Sequence, residues 1–244
     1  MFGQTGTGKS SLVNLLAGKE IAKVSSQAAG CTSTIQEYRI PSDVGDIYKI
    51  WDTPGLNEGE AGNVPDQEAF KQLYSLVNRW GSDIPLIVYC IRGSRLTDMA
   101  RVNYDLFYGI ICEGKVPIVL VVTGLELGNE MDQWWGHNVK LIERMGMAFE
   151  GYACVTTTKG SGGIYEDKFR VSQDRVWALL KEHGNGVPWT PGRKWLAEVP
   201  RKMDAYMKEY SLRTGQERKL IPMVERRARR QQTLPTYDPP KSVR

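Results

Sequence analysis

Gly3-Gln4-Thr5-Gly6-Thr7-Gly8-Lys9-Ser10 follows the G-x-x-x-x-G-K-S pattern of a loop that holds phosphate. Glycines at these three positions permit backbone angles that a Cβ forbids, so successive amide N–H groups can turn inward around an anion. Lys9 would then reach the terminal phosphates of a nucleotide, and the Ser10 hydroxyl would hold a magnesium ion (Mg2+) bridging the same two groups. Ser10 to Ala17 reads as a helix with Leu12, Leu15 and Leu16 on one face and Gly18 as its stop. The positive end of its dipole faces the anion. Gly3, Gln4, Thr5, Gly6, Thr7, Gly8, Lys9, Ser10 and the adjoining Ser11 are therefore the candidate phosphate ligands.

A second motif lies downstream. Ile47 to Trp51 alternates as a strand should and runs directly into Asp52-Thr53-Pro54-Gly55. A carboxylate at the end of a strand beside the loop can hold magnesium through a water, and Gly55 can offer its N–H to a terminal phosphate. An ordinary strand-ending turn would also suit Pro54-Gly55; the phosphate loop upstream favours the first reading.

With these two motifs the sequence resembles the GTPases of the translation-factor-related class, which includes the Era-like, septin, plastid-import and immunity-associated GTPases. The resemblance covers about residues 1 to 183 and implies a G domain that binds GTP and GDP. It implies a switch threonine as a further magnesium ligand. Thr32, within Gly30 to Thr34, matches best by its distance from the next strand; Thr34 is second, and a plain Ser/Thr-rich loop stays open. Lys9 and Thr32 are thus the candidate catalytic residues, and Ser10, Thr32 and Asp52 the metal set.

The base-reading element departs from the family. Where relatives carry Asn/Thr-Lys-x-Asp, this chain has Thr123-Gly124-Leu125-Glu126. Glu126 keeps a carboxylate for guanine N1–H and N2–H2, while Gly124 removes the lysine stem that packs along the base. An acceptor pair suits guanine better than adenine, whose N1 is itself an acceptor. Thr123 and Glu126 are the base-site candidates; a solvated Glu126 is the alternative. Thr158 and Lys159, within Thr156 to Gly160, stand where the family's Ser-Ala-Lys element supports the base.

Leu56 stands where small regulatory GTPases place a water-orienting glutamine. A hydrocarbon side chain cannot orient water by hydrogen bonding. The resemblance then implies hydrolysis that is slow or depends on a partner, a dimer interface or another loop. Glu58 and Glu60 are candidates for assistance, and the Gly- and acid-rich stretch 57 to 66 could reorder with the terminal phosphate.

The elements that must position these residues alternate β and α, which predicts a mainly parallel sheet covered on both faces. Ile35 to Ile40 and Ile47 to Trp51 flank the turn cluster Asp43 to Asp46 and predict an antiparallel hairpin at one edge. Pro85 to Ile91 and Val116 to Val122 are continuous apolar runs, the pattern of strands buried on both faces. Tyr152 to Thr156 reads as the last strand, and helices are expected near 66 to 80, 97 to 112, 130 to 145 and 168 to 183. The fold class expected is α/β: a three-layer P-loop NTPase G domain with one antiparallel edge strand. Met1-Phe2 can supply only the last residue or two of the strand that precedes the phosphate loop. The first strand is then largely missing, and the expectation is a fragment or a misplaced initiator.

Of the 32 Lys and Arg, 14 lie from Pro191 onward against 6 Asp and Glu, a net +8 that leaves the first 190 residues at −4. The expected domains are a G domain over 1 to 183 and a basic C-terminal extension over 184 to 244, partly helical or disordered. Gly184 to Pro188 is the candidate linker, Arg201 to Tyr210 a short helix, and Arg226 to Arg230 a run that could touch an anionic membrane or RNA. A homodimer or an effector protein is the other partner expected.

No apolar run approaches the ~20 residues of a membrane span. Cys31, Cys90, Cys112 and Cys154 lack C-x-x-C spacing and read as reduced thiols, and His137 and His183 are isolated. A cytoplasmic protein with possible membrane-surface association follows. Trp134-Trp135 could stack on a nucleobase, although a helix burying aromatics fits as well. The function expected is a magnesium-dependent GTPase switch. The alternative is a nucleotide-binding scaffold with little hydrolysis, and an ATP-using P-loop protein is disfavoured by Glu126.

Overall fold

The computed structural model of the chain describes residues 1–24, 35–55, 74–75, 84–94, 96–192 and 194–213. Thr32, Thr34, Cys31, Leu56, Glu58, Glu60, the stretch 57 to 66, the run 226 to 230 and all but Tyr74 and Ser75 of the expected helix at 66 to 80 lie outside them. The described chain divides into two units, parted between Pro191 and Gly192.

In the first unit, β1 (Gln36–Pro41) and β2 (Ile47–Asp52) form the expected hairpin, with Gln36 opposite Asp52 and Pro41 opposite Ile47. Its turn closes through Ser42 N–H to Asp46 O at 2.8 Å, with Ser42 Oγ accepting from Asp46 N–H. β3 (Ile87–Arg92), β4 (Ile118–Thr123) and β5 (Gly151–Cys154) form a parallel sheet in the order β3-β4-β5. All six residues of β4 are buried, as its unbroken apolar run requires when helices cover both faces.

Met1 and Phe2 stand between the two sheets. Phe2 N–H donates to Val88 O at 3.0 Å and Phe2 O accepts from Cys90 N–H at 2.8 Å, a single parallel bridge beside Tyr89. On the other side the Met1 ammonium donates to Trp51 O at 2.8 Å. The strand before the phosphate loop is thus present as this one bridge, and it is enough to set the loop's first residue against both sheets.

On one face, α1 (Lys9–Ala17) and α4 (Glu166–His183) lay Leu12, Leu15, Leu16, Val176, Leu179 and Leu180 on Val88, Cys90, Val119 and Val121. On the other face Phe2 stacks on Tyr89 at 4.4 Å and meets Phe107 at 4.3 Å. That side is carried by α2 (Asp98–Tyr104), whose Ala100 carbonyl accepts from Tyr89 Oη at 2.7 Å. The helix expected near 97 to 112 is present in two parts: α2 passes into a π-helical turn over Asp105–Ile111, with Cys112 N–H donating to Phe107 O at 2.9 Å. The extra residue per turn accompanies the burial of Leu106, Phe107 and Ile111 against the core.

α3 (Gln133–Arg144) buries only Ile142, and its Trp135 stacks on Tyr152 of β5 at 4.0 Å. Trp135 is therefore engaged within the domain. In the second unit, α5 (Trp195–Arg213) is longer than the short helix expected over 201 to 210 and contains Pro200. Among the described residues, no helix is long and apolar enough to cross a membrane.

Candidate nucleotide site

The phosphate loop enters α1 through Gly8, whose φ of 82° is left-handed and whose position lacks any side-chain cap. A Cβ there would be strained and would also crowd Thr123 Oγ1 at 3.2 Å. The N–H groups of Gly6, Gly8 and Lys9 find no acceptor among the described residues. Orphan donors at a helix start are a place for an anion. Thr7 turns away from that role, with its hydroxyl donating to Gln4 O at 2.8 Å.

Lys9 is buried, and its Nζ donates to Gly3 O at 3.0 Å and Gln4 O at 2.9 Å. An ammonium has three N–H donors, so one remains for a phosphate oxygen. Burial pulls the Lys9 pKa below the usual lysine value, and the neighbouring Cys90 and Asp52 oppose that shift only in part. A phosphate in the loop would favour the charged form.

Ser10 Oγ donates to Asp52 Oδ2 at 2.6 Å across 42 residues of sequence. Asp52 is 1% exposed, and its Oδ1 has no hydrogen-bond partner among the described residues. These are oxygen donors of the kind magnesium takes, and the orphaned Oδ1 gives the ion or one of its waters a place. Among the described residues, no group of three or more His, Cys, Asp or Glu could hold a metal. Gly55 packs on the loop: a Cβ there would come within 2.5 Å of Thr5 Cα and 2.7 Å of Thr5 N. Only a glycine lets the Asp52–Gly55 segment approach the phosphate loop so closely.

The base side is assembled from three elements. Thr123, at the end of β4, donates from Oγ1 to Thr7 O at 2.8 Å, tying the base loop to the phosphate loop. Thr156 Oγ1 stands 3.3 Å from both Glu126 Oε2 and Thr158 O, either of which can accept its one proton, so the two loops after β4 and β5 converge. Thr158 and Lys159 are exposed. Lys159 pairs with Glu166 at 3.0 Å and lies over the Phe169 ring, so its cation is spent on the start of α4.

Sequence reasoning missed Lys168. Its Nζ donates to Glu126 O at 2.9 Å and Gly128 O at 2.6 Å, holding the base loop from α4. Nothing in the local pattern marks it, because its partners lie about forty residues upstream. The structure thus brings Gly3 to Ser11, Asp52, Gly55, Thr123 and Glu126 to one edge of the first unit, while Thr32 lies outside the described residues.

Strand, glycine loop, helix and the Ser10–Asp52 pair define a three-layer α/β domain of the P-loop nucleotide-binding class. The family model for the 50S ribosome-binding GTPase matches residues 1–123, half of the chain, and the chain belongs to that family. It carries a GTPase-family G domain. A curated relative, immune-associated nucleotide-binding protein 9 of Arabidopsis thaliana, is 38% identical over 56 residues, 23% of this chain and 16% of that protein. Among solved structures, an Aquifex aeolicus Era variant bound to GDP·AlF4− superposes with a TM-score of 0.54 at 18% identity, over 78% of this chain and 57% of its own. Era in complex with MgGDPNP and nucleotides 1506–1542 of 16S ribosomal RNA gives a TM-score of 0.56 at the same 18% identity and the same coverage. At that identity the likeness shows the fold. The chain spans little more than half the length of these solved relatives and far less of the curated one.

Proposed function

We propose that this chain binds guanine nucleotide with magnesium and hydrolyses GTP to GDP and phosphate, slowly unless a partner or a second copy completes the site. The observation that carries this reading is the Ser10–Asp52 pair at 2.6 Å beside the phosphate loop, with Asp52 Oδ1 buried and without a partner among the described residues. A buried acceptor left without a partner costs about 1–3 kcal/mol, so the arrangement favours the arrival of a cation or its water. Ser10 and Asp52 would hold Mg2+, with Thr32 as the further ligand expected from the sequence. When bound, the ion neutralises charge on the phosphates.

The chain's own residues do the rest. The orphan N–H groups of Gly6, Gly8 and Lys9 receive phosphate oxygens, and the remaining Lys9 N–H steadies the charge that develops there. Gly55, seated on Thr5, offers its N–H toward the terminal phosphate. Glu126 accepts from the guanine N1–H and N2–H2 edge, steadied by Thr156. Leu56 offers no hydrogen bond to an attacking water, so that water is oriented from elsewhere. The net +8 of residues 191 to 244 supports contact between a cytoplasmic protein's tail and an anionic membrane or RNA.

Single-turnover phosphate release from GTP and magnesium tests the reaction. Slow release by the wild type that vanishes in Lys9→Ala is the expected result. Binding without Lys9-dependent release would leave a nucleotide-binding scaffold. Competition among GTP, GDP and ATP tests the base: ATP binding tighter than GTP overturns the guanine assignment.

A further inference from the structure

Arg92 ends β3, and its side chain lies across Gly124. A Cβ built on Gly124 would stand 3.2 Å from Arg92 Cγ, 3.3 Å from Nε and 3.6 Å from Cζ. Gly124 has a φ of +76°, where an L side chain is strained, so the base loop carries no stem of its own at this position. The arginine stem covers the bare glycine instead.

The guanidinium is exposed and makes no hydrogen bond or ion pair with any described residue. It borders a cavity of about 170 Å³ whose wall includes Gln4, Thr5, Gly6, Thr7 and Thr97. Thr7 is in turn tied to Thr123, the residue before Gly124, at 2.8 Å. One unpaired cation therefore stands where the phosphate loop meets the base loop. Its planar fork can lie on a purine face and donate several hydrogen bonds at once, which an ammonium cannot do.

We propose that Arg92 is an affinity-determining contact for the base and ribose end of a guanine nucleotide, supplying from β3 the cationic stem that Gly124 lacks. The assignment rests on the guanine-nucleotide reading above. Lys9 and the loop N–H groups already serve the phosphates. Arg92 instead follows Gly124, two residues before Glu126, so its contribution is the same for GDP and GTP.

Isothermal titration of GDP, GTP and ADP into wild type, Arg92→Ala and Arg92→Lys, all as the full chain, tests this. Arg92→Ala is expected to weaken GDP and GTP by the same factor, about tenfold. Arg92→Lys should recover about a third of that affinity or more, because the cation returns without the planar fork. The melting temperature of nucleotide-free Arg92→Ala should stay within about one degree of wild type, as for an exposed side chain. Arg92→Ala binding GDP within about twofold of wild type overturns the proposal. So does a loss confined to GTP, which would place the guanidinium on the terminal phosphate. A fall in nucleotide-free stability with no rescue by lysine would assign Arg92 to packing and overturn it too. A wild type that binds neither GDP nor GTP overturns the function reading together with this assignment, whereas tight wild-type binding unaffected by Arg92→Ala overturns this assignment alone.

Discussion

The phosphate end and the base end of the proposed nucleotide site are built by different physics. At the phosphate end, Gly3 to Ser10 are consecutive, Lys9 is clamped by two carbonyls at 2.9 and 3.0 Å, and Asp52 is 1% exposed. At the base end, Glu126 and Thr156 meet at 3.3 Å, Thr158 and Lys159 are exposed, and the loop is held by Lys168 from a helix forty residues away. A nest of backbone N–H groups exists only if successive residues share one special conformation, so its motif must be contiguous. A base is read by side chains, and any element that reaches can supply one. Gly124 shows the second rule: the residue there is bare, and the stem over it comes from β3.

Breaking the phosphate end should cost the most. Lys9→Ala removes a charge-assisted contact and leaves the Gly3 and Gln4 carbonyls without their donor, and should weaken GTP and GDP by about a hundredfold or more. Titration calorimetry measures it, and a loss under about tenfold would place the two ends on an equal footing. Asp52→Asn comes next. It keeps the shape but not the charge, so the ratio of GTP affinities with magnesium and with chelator should fall about tenfold toward one. A ratio that stays at its wild-type value would remove Asp52 from the metal set.

The base end should respond more gently. Glu126→Gln turns one acceptor into a donor, and the preference for GTP over ATP should drop about tenfold in competition binding. An unchanged preference would make Glu126 a structural partner of Thr156 and nothing more. Lys168→Ala frees the loop carbonyls of Glu126 and Gly128 on the exposed side, and should raise the GDP dissociation constant only about threefold. A loss as large as that of Lys9→Ala would mean that the base loop, not the phosphate loop, anchors the nucleotide.

Much of the fold was legible in the chain. Leu12, Leu15 and Leu16 marked the buried face of α1, and the unbroken apolar runs around Val88 and Val119 marked strands covered on both sides, because hydrophobic periodicity follows the covering layers. The π-helical turn over Asp105–Ile111 was not legible, since it answers to tertiary packing of Leu106, Phe107 and Ile111 and breaks no local pattern. The length of α5 was also hidden, because a proline removes a helix donor and yet this helix runs through Pro200.

By itself the sequence determined the glycine-rich loop and its helix and placed Asp52 at a strand end, since glycine spacing and strand-end placement are local properties. Tertiary structure alone decided what surrounds them. It set Met1 and Phe2 between two sheets, closed Gly55 onto Thr5, tied Thr7 to Thr123, and brought Lys168 and Arg92 to the base loop. Those contacts join residues far apart along the chain, and no local preference encodes which distant side chain will fill the space a glycine leaves.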